Sequence, residues 1–184
     1  MTDWRVARLE GGKPLWENRT EERGVMGDKK TRRIALGADH AGYQVKDRIK
    51  ELLQKKGFEV LDFGTHSDES VDYPDFAKLV AQSVANAESD RGILVCGTGL
   101  GMAIAANKTQ GIRAATCNDT YTARMAAEHT DANVLCVGAR VVDADHAVAI
   151  VEEWLKGKFG GGRHQRRLDK INELERPPAL SRTK

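Results

Sequence analysis

The sequence has few of the features that mark secreted, membrane or nucleic-acid-binding proteins. It holds only three cysteines, and their spacing fits neither a disulfide framework nor a metal site. Its formal charge of +2 over 184 residues is nearly balanced, so no basic surface for nucleic acid or anionic lipid is expected. No apolar run is long enough to span a bilayer, and the N-terminus lacks the apolar core of a signal peptide. We therefore expect a cytoplasmic protein with no membrane or nucleic-acid partner.

The chain divides into three parts by sequence pattern. Residues 1–31 have scattered charge and no sustained period, so we expect a poorly ordered extension. Residues 32–176 alternate between short apolar runs and amphipathic segments, which is the pattern of a single α/β domain. Pro177 and Pro178 end the last predicted helix, and residues 177–184 form a polar tail.

Five short apolar runs predict strands, at residues 33–37, 58–61, 93–95, 112–116 and 134–137. Helical periodicity follows each run, and a last helix over 163–175 comes after a glycine run. This alternation predicts a doubly wound, five-stranded parallel sheet, Rossmann-like and in a flavodoxin-like order, with an extra C-terminal helix. Such sheets bind ligands beyond the carboxyl ends of their strands. Four polar or reactive residues come after strand ends and should converge there: Asp39, His40, Cys96 and Asn118.

The segment from Gly92 to Lys108, GILVCGTGLGMAIAANK, joins a buried strand to an Ala-rich helix through a glycine-rich turn. Such a turn leaves backbone N–H groups free to hold an anion. It lacks the Lys-Ser/Thr pair of a Walker loop, and Met102 stands where a dinucleotide-binding fingerprint has its third glycine. Asp119 lies at the distance of a ribose-binding acid, so nucleotide binding stays open. Cys96, at the mouth of the turn, fits either a reactive thiol or a small buried apolar residue.

Several spaced motifs over residues 33–175 together resemble the type B ribose-5-phosphate isomerases and the related galactose-6-phosphate isomerase subunits. The matching segments are GADHAG (37–42), DYP (72–74), CGTGLGMAIAANK (96–108), GIRA (111–114), EHTDANV (128–134), GARVV (138–142) and GGRHQRR (161–167). The resemblance implies a metal-free, cofactor-free aldose–ketose isomerase that interconverts ribose 5-phosphate and ribulose 5-phosphate through a cis-enediolate. It also implies a homodimer or a dimer of dimers, with active sites between subunits.

Two alternatives remain beside this interpretation. One is the same chemistry on a six-carbon aldose 6-phosphate, such as allose or galactose 6-phosphate, since pocket depth decides the sugar. The other is a non-catalytic module that binds a nucleotide or a sugar phosphate. Such a module would need neither a thiol at the strand end nor a histidine and an aspartate beside it.

The resemblance assigns catalytic roles to Cys96, Thr98, His129 and Asp39. Cys96 would be the base that moves a proton between C2 and C1 of the sugar, with Thr98 hydrogen-bonded to its sulfur. The amides of the Gly97–Gly101 turn would hold the enediolate oxygens. His129 would open the sugar ring, with Asp39 near the same end of the sugar. Taken alone, His129 fits a histidine that stabilises a helix end at least as well.

The other site residues are expected to bind the sugar phosphate. Arg163 and Arg167 are four residues apart on the last helix, so they share one face, although a solvated face is the simpler alternative. The resemblance adds Arg140 and His40 to the phosphate site. Tyr73 would line the sugar pocket, or else act as a hydrophobic staple. The turn and strand-end residues complete the set: Gly97, Gly99, Gly101 and Asn118.

Two positions bear on which member of the family this chain resembles. Some members use a glutamate as the base on the first helical turn, where this chain has Met102, so the chain resembles the cysteine type. Many members have asparagine where this chain has Thr130. Threonine is shorter than asparagine, so the contact with the reacting end of the sugar, and with it the preferred sugar, is open.

Overall fold

A computed structural model describes residues 32–175 of the chain. These residues form strands and helices in alternation, followed by one further helix: β1 (Arg33–Ala38), α1 (Tyr43–Lys55), β2 (Glu59–Asp62), α2 (Tyr73–Ala85), β3 (Arg91–Cys96), α3 (Leu100–Ala106), β4 (Ala114–Thr116), α4 (Thr120–Thr130), β5 (Val134–Gly138), α5 (Ala144–Lys156) and α6 (Arg163–Glu173). The extension predicted over 1–31 and the tail predicted over 177–184 lie outside the described residues.

All five predicted strands are present, and their bounds shift by a few residues. β4 begins at Ala114 rather than at residue 112, because the Ile112 N–H donates to the Thr109 carbonyl in a turn. α3 begins at Leu100, because Gly99 adopts φ 79° and ends the turn there. The predicted last helix ends at Glu173, two residues early.

The sheet is entirely parallel, with strand order β2-β1-β3-β5-β4. The predicted doubly wound sheet and its flavodoxin-like order are confirmed, and β5 lies between β3 and β4. The chain moves outward from β1 to β2 and then returns to place β3 on the other side of β1. The order therefore reverses between β1 and β3, which is where such sheets form a crevice for ligands.

Two apolar cores cover the two faces of the sheet. On one face, α1, α4 and α5 pack against β-strand side chains such as Leu36, Ile93 and Leu135, with Trp154 fully buried among them. On the other face, α2 and α3 pack over a second set that includes Leu94. The central strands are buried on both sides, which explains why they appear in the sequence as unbroken apolar runs. Their carboxyl ends are consequently held in fixed positions.

The last helix, α6, packs against the edge of the domain. The Gly160 N–H donates to the Glu128 carbonyl at 2.9 Å, just before α6 begins. Leu168 is buried, whereas Ile171 is 44% exposed and Leu174 is 83% exposed. The apolar side chains of this segment are therefore only partly covered. Within residues 32–175, no helix combines the length and apolar character needed to cross a membrane.

Candidate active site

The carboxyl ends of the central strands bring several predicted site residues side by side. Ala38 pairs with Val95 and Cys96 pairs with Gly138 in the parallel ladders. Asp39 and Cys96 therefore leave neighbouring strands at the same level, about 4.8 Å apart across the sheet. The Asp39 N–H donates to the Val95 carbonyl at 3.1 Å, which fixes this arrangement.

The turn after β3 holds the sulfur of Cys96. Its Sγ accepts the N–H of Gly99 at 3.1 Å, and the residue is 5% exposed. Gly99 has φ 79°, and a methyl group there would lie 2.9 Å from Thr116, so the position requires glycine. The Thr98 hydroxyl accepts the Leu100 N–H at 3.4 Å instead of contacting the sulfur. The sulfur contact expected of Thr98 is thus made by the Gly99 amide.

Two side chains from other elements close over the same turn. A methyl group at Gly97 would lie 3.4 Å from Cδ of Arg140, so the arginine side chain lies along this residue. A methyl group at Gly101 would lie 2.7 Å from the Tyr73 ring, which only a glycine allows to approach so closely. The turn predicted to bind an anion is therefore flanked by a guanidinium and by a phenol ring.

Asp39 and His40 are held by backbone amides. The Asp39 side chain is buried, and its Oδ1 accepts the N–H groups of Ala41 at 2.9 Å and Gly42 at 3.1 Å. The Nδ1 atom of His40 accepts the N–H of Val71 at 3.3 Å. Because Nδ1 accepts this hydrogen bond, the ring proton of His40 lies on Nε2, which remains as a donor.

Asn118 supports the site from the neighbouring strand. Its Oδ1 accepts the Gly138 N–H at 3.2 Å, where β5 ends. The side-chain carbonyl is thus used in joining the ends of β4 and β5. Asp119, next to it, caps α4, and its Oδ1 accepts the Thr122 N–H at 2.7 Å.

The other predicted residues form a second group around the end of α4 and the start of α6. The His129 ring stacks on His164 with centroids 4.2 Å apart and planes inclined by 12°. The Thr130 hydroxyl donates to the Ala126 carbonyl at 2.7 Å. Arg163 and Arg167 are exposed on α6, which begins beside this histidine pair. We call His129, Thr130, Arg163 and Arg167 the α4–α6 group.

The α4–α6 group lies at the amino-terminal edge of the sheet, away from Cys96. α4 begins after β4 at the carboxyl edge and runs back over 11 residues, a length of roughly 16 Å. Arg113, just before β4, donates to the carbonyls of Thr130 at 3.1 Å and Asp131 at 2.7 Å and so holds the end of α4. A single chain therefore gathers the predicted residues into two groups at opposite edges of the sheet.

The three thiols differ in surroundings. Burial raises the pKa of Cys117 to about 11, and burial also raises the pKa of Cys136 well above its ordinary value. Both of these side chains therefore stay protonated near neutral pH. Cys96 also packs among apolar residues, including Leu94 and Met102. This packing is what we expect if Cys96 is only a small buried apolar residue. It differs from the other two in the glycine amide that contacts its sulfur.

The α4–α6 group has a positive environment. Desolvation lowers the pKa of His164, and the nearby His129, Arg163 and Arg167 lower it further. This crowding of basic groups at one helix start suits an anionic ligand. Among residues 32–175, no cluster of three or more His, Cys, Asp or Glu side chains is arranged to bind a metal ion.

Sequence reasoning missed three residues that act around these groups. His164 stacks on His129, Arg113 holds the end of α4, and Lys46 is fully buried below the loop after β2. His164 and Arg113 lie inside matched motifs, but the motifs alone indicate no role for them. The only signal for Lys46 is a lysine on the apolar face of α1, next to Val45.

The fold and the carboxyl-edge residues define a doubly wound α/β protein with a thiol beside a glycine-rich turn. A family model described as Ribose/Galactose Isomerase matches residues 34–171, and the chain belongs to this family. It is 48% identical to ribose-5-phosphate isomerase B of Escherichia coli K12 over 144 residues, which are 78% of this chain and 97% of that protein.

Solved structures agree with this assignment. The ribose-5-phosphate isomerase B of Clostridium thermocellum is 57% identical, with a TM-score of 0.77 over 78% of this chain and 97% of that one. The Mycoplasma genitalium enzyme, solved with bound ribulose-5-phosphate, is 47% identical, with a TM-score of 0.75 over 78% and 95%. The family resemblance found in the motifs is confirmed.

Proposed function

We propose that this protein interconverts ribose 5-phosphate and ribulose 5-phosphate by proton transfer through a cis-enediolate. The observation that carries the proposal is the Cys96 sulfur, held by the Gly99 amide at 3.1 Å at the mouth of the glycine turn. Relatives named ribose-5-phosphate isomerase B match most of the chain, and one of them binds ribulose-5-phosphate. Proton abstraction beside a carbonyl needs a base and a fixed set of donors for the oxyanion, and this turn offers both.

The proposed proton transfer takes place at the turn beside Cys96. The Cys96 thiolate removes the C2 proton of the open-chain aldose, and the electron pair moves into the C1 carbonyl. Amides of the turn beside Cys96 then stabilise the charge on the enediolate oxygen. The thiol returns the proton to C1, the O2 hydroxyl proton moves to O1, and C2 becomes the carbonyl. No redox partner is needed, since the proton and the electrons stay within the substrate.

Ring opening and phosphate binding need the remaining groups. His129 is the acid and base that opens the sugar ring, and Asp39 lies near the same end of the substrate. His40 and Arg140, at the carboxyl edge, donate to the phosphate from one side. Arg163 and Arg167 donate to the phosphate from the other side. They are one turn of α6 apart and so lie on the same face of the helix.

A complete site then requires two copies of the chain. The carboxyl-edge residues and the α4–α6 group are separated by the length of α4, which is longer than a pentose phosphate. We infer a homodimer in which the Cys96 turn of one copy faces the α4–α6 group of the other. Exposed apolar side chains are available for such a contact: Leu100, Ile104, Ile171 and Leu174. The free thiols support the expected cytoplasmic location.

Mixing two inactive variants tests the shared site. Cys96→Ser and His129→Ala should each be inactive alone, because each removes one half of every site. After random exchange of equal amounts, about half of the dimers contain one copy of each variant. In each mixed dimer, one of the two sites combines an intact Cys96 with an intact His129, so about a quarter of wild-type activity should return. No recovery after subunit exchange would mean that both residues serve a site within one protomer or none at all.

Substrate preference is tested by turnover of pentose and hexose phosphates. We expect the highest kcat/KM with ribose 5-phosphate, with no loss of activity in the presence of a chelator. Faster turnover of allose 6-phosphate or galactose 6-phosphate would replace the proposed substrate and keep the chemistry. Binding without turnover of any sugar phosphate would favour a non-catalytic module.

A further inference from the structure

We propose that Lys46 is a positioning residue that fixes the loop from β2 to α2, residues 63–72, and through it the tautomer of His40. The consequence for substrate binding rests on the proposed function, because it assumes that His40 contacts the substrate phosphate. The structural part, that Lys46 sets the hydrogen bond on His40, stands without that assumption.

Lys46 is an ammonium group in the interior of the domain. It lies on α1 beside the buried residues Val45 and Ile49, and its side chain is 0% exposed. A buried charge is strongly unfavourable unless it is paired and hydrogen-bonded. A helix that needed only apolar packing at this position would carry a leucine or a methionine. The lysine therefore marks a position where its charge is used.

The pairing of Lys46 is directed at the start of the loop. Its Nζ donates to both carboxylate oxygens of Asp62 at 3.0 Å and lies 3.1 Å from Oδ1 of Asp47. It also donates to Nδ1 of His66 at 3.4 Å, since an ammonium group can only donate. Lys46 thus holds two points of the same segment, one at the end of β2 and one inside the loop.

Asp62 connects Lys46 to the backbone at the start of the loop. Burial raises the pKa of Asp62, but the hydrogen bonds from Lys50, Lys46 and the Gly64 N–H, together with the charge of Lys46, lower it overall, so the carboxylate stays charged. Its Oδ1 also accepts the Gly64 N–H at 3.0 Å. The Gly64 carbonyl in turn accepts the Ala38 N–H at 2.6 Å, directly before the two predicted site residues that come after β1.

The far end of the loop reaches the substrate-binding residues. The Val71 N–H donates to Nδ1 of His40 at 3.3 Å, which keeps the ring proton on Nε2. Two residues later, Tyr73 begins α2 and lies against Gly101. If the loop shifts, His40 loses the acceptor role of Nδ1, and its proton is shared between both ring nitrogens. The Cys96 turn belongs to β3 and α3, so it keeps its geometry.

Lys46→Met tests the proposal, because methionine fills the same space without the charge. Its matched control is Lys50→Met, which removes the other ammonium that contacts Asp62, at 2.8 Å, but leaves Lys46 and His66 in place. We expect the KM for ribose 5-phosphate to rise roughly tenfold in Lys46→Met, as for a weakened hydrogen bond to a charged group, with kcat changed little. Lys50→Met should stay close to the wild type in both constants.

Nitrogen-15 NMR of the histidine rings gives a second readout that needs no substrate. The wild type and Lys50→Met should show His40, assigned with His40→Gln, as the Nε2–H tautomer, and Lys46→Met should show a mixture of tautomers. The proposal is overturned if Lys46→Met keeps both the wild-type KM and the wild-type tautomer, or if Lys50→Met changes them equally. If Lys46→Met does not fold, Asp62→Asn takes its place under the same criteria. A wild type inactive on ribose 5-phosphate would refute the proposed function and leave the tautomer result valid.

Discussion

Replacing Cys96 by serine separates its chemical role from its packing role. Serine is nearly isosteric with cysteine, and its oxygen can accept the same Gly99 N–H that the sulfur accepts at 3.1 Å. The backbone of the turn should therefore remain as it is, and the free energy of unfolding should fall by about 1 kcal/mol or less, the net value of an ordinary hydrogen bond. A serine hydroxyl is a far weaker acid than a thiol, so it stays protonated and cannot serve as the base.

The expected loss of activity comes from that chemistry. General acid–base catalysis contributes typically about 10²–10⁴-fold, so kcat of Cys96→Ser should fall by at least that factor. Exchange of the C2 proton of ribose 5-phosphate with deuterated water, monitored by NMR, should stop in parallel. Substrate binding, measured by calorimetry, should persist because the phosphate contacts are unchanged.

The other two cysteines are internal controls. Burial raises the pKa of Cys117 to about 11, and burial raises that of Cys136 well above its ordinary value, so neither side chain can act as a base near neutral pH. Serine at either position should cost stability of about 1–3 kcal/mol, because a hydroxyl is then buried among apolar groups. Activity per folded molecule should be unchanged. Near-wild-type turnover in Cys96→Ser, with loss in Cys117→Ser or Cys136→Ser, would refute the mechanism.

Three further predictions concern phosphate, specificity and pH. Arg163→Ala and Arg167→Ala should each raise KM roughly tenfold or more by removing a charged hydrogen bond, whereas Arg166→Ala on the same helix should not; an unchanged KM in both would return them to a solvated face. Thr130→Asn should raise kcat/KM for ribose 5-phosphate relative to allose 6-phosphate, because the short Thr130 side chain donates its hydroxyl to a carbonyl within α4, whereas asparagine is longer. An unchanged ratio of the two kcat/KM values would mean that this residue does not determine specificity. The lowered pKa of Asp62 means that its ion pairs stabilise the fold at neutral pH and that this contribution is lost as pH falls through that lowered pKa. In denaturant unfolding, Asp62→Asn should therefore have a lower free energy of unfolding than the wild type at neutral pH and a similar one in acid. A difference in this free energy that stays constant with pH would contradict the prediction.

Much of the fold was predictable because the central strands are buried on both faces. Burial on both faces produces apolar runs such as Ile93 to Val95, and parallel strands bring the residues at their carboxyl ends to one edge of the sheet. Asp39, Cys96 and Asn118 could therefore be predicted to lie at the same edge without any knowledge of side-chain contacts, and the ladders place them there. His129 lies at the opposite edge of the sheet, because α4 begins at the carboxyl edge and runs back over its 11 residues.

The features that the sequence pattern could not predict depend on backbone angles and on partners far apart in the chain. The sulfur of Cys96 is held by Gly99 rather than by Thr98 because a φ of 79° turns that amide toward the strand end. Lys46 and Asp62 are sixteen residues apart, and apolar periodicity in α1 gives no reason to join them. Apolar periodicity indicates which face of a helix is buried, and a buried lysine is an exception to it. The periodicity does not indicate which residue compensates the charge of that lysine. Such a contradiction is nevertheless informative, since burying a charge is unfavourable unless it is paired and hydrogen-bonded. It marks Lys46 as a residue whose charge is compensated by the segment it contacts, the loop whose Val71 N–H donates to His40 and which is followed by Tyr73.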